Sequence, residues 1–144
     1  MYKLISVSVI LLLIIGCNEN LTESGENLSA TTNTNTYVGI TQIIVTLKNE
    51  TDHVVYFTHC GGIIGKYIEC KDSIWTEKGN IAIVCLAILP GGSVPIGSMQ
   101  TKQDTIIFSN QPGIYRLKYP YSWREDQENQ GYLLTNEFNY TNPR

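Results

Sequence analysis

The sequence predicts an all-β protein built as an antiparallel sandwich or barrel, and three observations carry that expectation. Short runs rich in Val, Ile, Thr and Tyr recur after Tyr37, with turn signals about every ten residues. Nine tyrosines and twelve glycines favour strands and tight turns over helices. No apolar stripe at helical spacing competes with these runs.

The elements follow in order. Tyr37 to Asn49 is expected to hold one long strand or two shorter ones, with Ile43, Val45 and Leu47 on one face and residues 50–52 as the turn. Val54 to Cys60 comes next, Val55 and Phe57 opposed to Val54, Tyr56 and Cys60, until Gly61-Gly62 breaks it. Tyr67 to Lys71 alternates, Ile68 and Cys70 inward against Glu69 and Lys71 outward, and Ile74 to Glu77 is expected to pair nearby. Beyond Lys78-Gly79-Asn80, the run Ile81 to Leu89 is apolar enough to read as a central strand ending at Pro90-Gly91-Gly92. Gly92 to Ile96 and Lys102 to Ser109 supply further strands. Gly113 to Tyr119 and Gly131 to Tyr140 form the last pair, joined by a polar loop from Pro120 to Gln130.

Ahead of the domain, Met1-Tyr2-Lys3 carries one positive charge, and Leu4 to Ile15 is an apolar run of twelve residues broken only by Ser6 and Ser8. A bilayer core of about 30 Å takes about 20 helical residues, so this run fits a secretory signal better than a span. Ile14 is too bulky for an ordinary signal cleavage site. Leu13-Ile14-Ile15-Gly16-Cys17 instead resembles the lipobox of bacterial lipoproteins. That resemblance implies loss of residues 1–16, a diacylglyceryl group and an acyl chain on Cys17, and a chain anchored to a membrane of the bacterial cell envelope. Asn18 to Thr36 is almost entirely Asn, Thr, Ser, Glu and Gly, so residues 17–36 are expected to be the lipidated Cys and a flexible tether, with the folded domain at 37–144. Without Lys3 the chain keeps nine basic against thirteen acidic residues, a balance that argues against nucleic acid as a partner.

Asn110-Gln111-Pro112-Gly113-Ile114-Tyr115-Arg116-Leu117 resembles the corner before strand F of immunoglobulin-like sandwiches, where a Tyr hydrogen-bonds back to the turn backbone. Leu117 stands where antibody domains carry their second Cys. Together with Leu47 to Thr51, Pro90 to Ser93 and Thr135 to Phe138, the order of motifs is similar to a group of uncharacterised bacterial lipoproteins with one immunoglobulin-like domain. It is more distantly similar to small proteinase-inhibitor domains of that fold. The resemblance implies an immunoglobulin-like antiparallel β-sandwich of about seven to nine strands and brings no catalytic residues.

Three cysteines remain in the domain, Cys60, Cys70 and Cys85, and an oxidising compartment allows three pairings among them. The resembling lipoproteins place a Cys-Gly before and a Cys after a Trp, as Cys60-Gly61, Trp75 and Cys85 do. That implies a Cys60 to Cys85 bridge, worth about 3 kcal/mol, and leaves Cys70 as a buried thiol. A zinc site from these thiols and His59 lacks any close Cys-x-x-Cys or His-x-x-x-His spacing, so no metal or cofactor is expected. His59 and Cys60 are adjacent strand residues that point to opposite faces, a poor dyad. The chain has no Gly-x-Ser-x-Gly elbow, phosphate-cradling loop or His-Glu-x-x-His, and an enzyme is not expected.

The Pro120 to Gln130 loop is the candidate site. Tyr119, Tyr121, Trp123 and Arg124 fall within six residues, and Tyr, Trp and Arg dominate protein-binding hot spots. Tyr121, Trp123 and Arg124 are therefore the expected partner-binding residues. The function expected is a membrane-anchored, non-enzymatic module that binds a protein or glycan of the envelope. Its alternative is an inhibitor of an envelope proteinase or other enzyme.

Overall fold

The computed structural model describes residues 27–83, 91–126 and 129–143. The signal segment, Cys17 and Cys85 lie outside the described residues. Among the described residues there is no helix, and twelve strands follow one another. They are β1 (Leu28–Thr32), β2 (Thr36–Val38), β3 (Thr41–Asn49), β4 (Val55–Cys60), β5 (Ile63–Ile64), β6 (Lys66–Lys71), β7 (Trp75–Ile81), β8 (Gly91–Ile96), β9 (Gln100–Phe108), β10 (Gly113–Ser122), β11 (Gly131–Leu134) and β12 (Phe138–Thr141). The number exceeds seven to nine because β1 lies in a largely polar stretch, β5 is only two residues long, and Gly131 to Tyr140 holds two strands, β11 and β12.

One sheet has the order β1-β3-β9 and is antiparallel throughout. In the other, β10 is the spine. It pairs with β12 and β11 along one edge, and with β6 and then β4 along the other. β7 extends the sheet from β6, while β5 and β8 pair with β4. β2 runs parallel to β12, the exception in an otherwise antiparallel arrangement of strands. The two sheets form an immunoglobulin-like β-sandwich, as the sequence predicts.

Alternation builds the core. Ile43, Val45 and Leu47 on β3 are fully buried, as their spacing requires, and share one cluster with Val55, Phe57, Leu117 and Leu133. One end of the core is aromatic: the Phe108 ring lies 5.2 Å from Tyr115, 5.5 Å from Phe138 and 5.1 Å from Tyr140, each edge to face. The predicted corner is present, with the Tyr115 hydroxyl donating to the Gln111 carbonyl at 2.7 Å. Gly61 and Gly62 turn β4 into β5 with φ of +58° and +83°, the paired positive values that a two-residue type I′ hairpin needs.

Two expectations are corrected. The tether was expected to reach Thr36, but β1 is already part of the sandwich. Leu28 and Ala30 point inward between polar neighbours and are buried. Asn136 clamps the strap, accepting from the Thr32 N–H and donating to the Thr32 hydroxyl and the Asn35 side chain, each at 2.8 Å. Of the run Ile81 to Leu89, Ile81 is the last residue of β7, and the central strand expected there falls mostly on residues 84–90, outside the described residues. The last correction is that β10 continues through Pro120 to Ser122 where a loop was expected. Pro120 falls between the β10 segment paired with β6, which ends at Lys118, and the segment paired with β4, which begins at Tyr121. No ladder bond needs its missing N–H in that gap.

Candidate functional site

The predicted loop residues separate. Tyr121 is not a loop residue: it sits in the core at 6% exposure, its ring 6.4 Å from Phe57. A side chain at Gly131 would collide with it, because a Cβ there would stand 2.7 Å from the Tyr121 hydroxyl oxygen. Continued pairing of β10 is the reason, since it keeps every second residue pointing inward past Tyr119. Trp123 and Arg124 are exposed, and Trp123 leans edge-on against Tyr121 at 5.5 Å. Cys60 is disulfide-bonded, which removes it as a thiolate nucleophile, and Cys70 is a buried free thiol.

A larger assembly lies on the outer face of the β10 sheet. Tyr115, Leu117 and Tyr119 point into the core, so Arg116 and Lys118 point out. Register then sets Arg116 opposite Glu69, Lys118 opposite Tyr67, and Trp75 opposite Lys71. Glu69 accepts from Arg116 Nε at 2.6 Å and from Lys118 Nζ at 3.3 Å. The Arg116 guanidinium lies 4.2 Å from the Trp75 ring centroid, with Lys71 Nζ 5.5 Å from the same ring. Lys118 Nζ stands 4.4 Å from the Tyr132 ring and 5.4 Å from that of Tyr67, and the two tyrosine rings are 6.3 Å apart. The result is a row of alternating rings and cations around one buried carboxylate, flanked by exposed Ile114 and Leu134. Each cation–aromatic contact of this kind contributes about 0.5–1 kcal/mol at an exposed site. Glu69, expected to point outward, does so, but Arg116 and Lys118 cover it.

Sequence reasoning missed this row because its members come from four strands. In the sequence Trp75 stands as the one ring between Cys70 and Cys85, with no ring or cation of the row directly beside it. The alternation around Tyr115, which fixes Arg116 and Lys118 as outward, was the signal that could have found it.

Between the sheets lies a second polar group. Lys66 on β6 is fully buried and pairs with Asp104 on β9, whose Oδ2 also accepts from the Tyr119 hydroxyl at 2.8 Å. Burial pulls the Lys66 ammonium below the usual lysine range, and the Asp104 charge opposes that pull. Burial also raises the Tyr119 phenol well above its ordinary 10.0, with Asp104 adding to the effect. The phenols of Tyr37 and Tyr121 are raised by burial too, and that of Tyr115 is raised to about 12 by burial and then by Cys70.

These raised phenols set a pH dependence. In the unfolded chain each ionises near pH 10.0, whereas the native core holds its proton, so the stability they confer is complete below that pH. It is lost as pH rises through the native values. Unfolding free energy is therefore expected to fall steadily between pH 10.0 and about 12, with phenolate absorbance from these tyrosines appearing together with loss of structure. Full phenolate absorbance in a still-folded protein would contradict the burial of these rings.

Among the described residues, no group of three or more His, Cys, Asp or Glu is placed to hold a metal ion. No protein-family model matches the chain, and no curated protein matches it. Among solved structures it is similar to the Pseudomonas fluorescens alkylpurine DNA glycosylase AlkC bound to DNA containing an abasic site analog. That match has 10% identity and a TM-score of 0.42, over 84% of this chain and 32% of that one. It is also similar to the ASH/PapD-like domain 7 of human CEP192, at 10% identity and a TM-score of 0.32, over 97% of this chain and 96% of that one. The chain thus spans about a third of the glycosylase's length.

Proposed function

We propose that this protein is a lipid-anchored, non-enzymatic binding module of the bacterial cell envelope, and that it engages a protein or glycan through the outer face of the β10 sheet. The row running from Trp75 through Arg116, Glu69 and Lys118 to Tyr132 carries the reading. Flat rings and cations supply the contact types that dominate binding hot spots. Arg116 and Lys118 are held by Glu69 and by the rings beneath them, so little side-chain entropy remains to be lost when a partner arrives. The lipobox-like stretch ending at Cys17 supports attachment to a membrane.

Crosslinking in intact cells, followed by affinity capture, tests both halves. Trp75 is half-buried at the start of β7, so Trp75→Ala is expected to fold normally and lower capture of the partner about thirtyfold, a hot-spot loss of about 2 kcal/mol. Undiminished capture would reject this face, and a loss seen instead in Trp123→Ala would move the site to the β10–β11 turn. Cys17→Ala is expected to leave the membrane fraction. Its retention there would reject the anchor without bearing on the face.

A further inference from the structure

We propose that Lys66 and Asp104 condense to an intramolecular amide, a covalent tie between the two sheets of the sandwich. Lys66 belongs to the β10 sheet and Asp104 to the β1-β3-β9 sheet, and their side chains meet in the core with exposures of 0% and 7%. An ammonium has three N–H donors. Among the described residues, Lys66 Nζ meets only Asp104 and the face of the Tyr119 ring, 5.4 Å away. Two charges removed from water and so sparsely partnered are held at a large desolvation cost. An amide in the same place carries no charge and a single N–H in place of three.

The reaction balances without any outside reagent. The ammonium passes one proton to the carboxylate, giving an amine and a carboxylic acid. The Nζ lone pair then attacks Cγ, an Nζ–Cγ bond forms, and a Cγ–O bond breaks. Nζ keeps one hydrogen, and its other two leave with the departing oxygen as water. The pull of burial on Lys66 favours the amine, and contact between the two groups replaces a collision in solution by a held geometry. The Tyr119 hydroxyl, which keeps its proton, donates to Asp104 Oδ2, the oxygen that Lys66 meets and that takes its proton, and so assists the departure of that oxygen.

Tryptic mapping of the reduced, denatured full chain decides the matter. A tied Lys66 cannot be cleaved, so residues 49–71 are expected as one peptide joined to residues 103–116, together lighter than their sum by one water molecule. Lys66→Met and Asp104→Ala are each expected to abolish the joined peptide. Recovery of the wild-type chain as separate peptides ending at Lys66 and beginning at Gln103, with full masses, would overturn the proposal.

Discussion

Asp104→Ala is expected to cost about 3–5 kcal/mol of folding stability, because it leaves the Lys66 ammonium buried without its counter-charge. The Tyr119 hydroxyl loses its acceptor at the same time. Chemical denaturation of the variant measures the loss, and a change below about 1 kcal/mol would mean that Lys66 finds water in the native core. The double variant Lys66→Met, Asp104→Ala separates two contributions. Once the stranded charge is gone, a simple ion pair leaves stability near that of the parent, since such pairs are often replaceable by apolar side chains. A covalent tie across a sequence separation of 38 residues leaves the double variant lower by about 4 kcal/mol, the loop-closure contribution.

Phe108→Ala is expected to be comparably severe, about 3–5 kcal/mol. Phe108 is 2% exposed at the end of β9 and is the ring that Tyr115, Phe138 and Tyr140 all meet edge to face. Truncation removes the ring's own burial and empties the space between three others. Those others are fixed from behind: Tyr115 by its bond to Gln111, and Phe138 by its edge contact with Tyr37 at 5.4 Å. The pocket therefore cannot collapse, and a cavity persists. Phe108→Leu, which refills most of it, is expected to recover more than half of the loss. Equal losses in the two variants would mean that ring geometry rather than volume sets the cost.

Local chemistry was legible in the sequence. The inward triplet on β3, the Gly61-Gly62 turn and the Tyr115 corner each depend on residues within a few positions of one another. The start of the domain was not legible, because Leu28-Ser29-Ala30-Thr31-Thr32 offers only a Leu and an Ala to the core and looks like the polar stretch before it. Nor was the extension of β10, since Pro120 reads as a strand breaker until the gap between β6 and β4 is known. Lys66 looks like a solvated strand-end cation, and only its distant partner Asp104 explains its place in the core. The outer row was hidden for a similar reason: its rings and cations are neighbours by register and not by sequence.

Entry of the chain into the sandwich at Leu28 changes how far the domain can travel from its proposed anchor. Ten residues, 18–27, separate Cys17 from β1, and a chain of that length reaches at most about 35 Å even when fully drawn out. On that proposed anchor, the proposed binding row is confined to a thin layer above the bilayer surface. Within that layer a partner attached to the same membrane is met at a high effective concentration, on the millimolar scale for short linkers, so that weak contacts suffice for steady occupancy. Lengthening the leash would dilute the same row over a larger volume without altering a single atom of it.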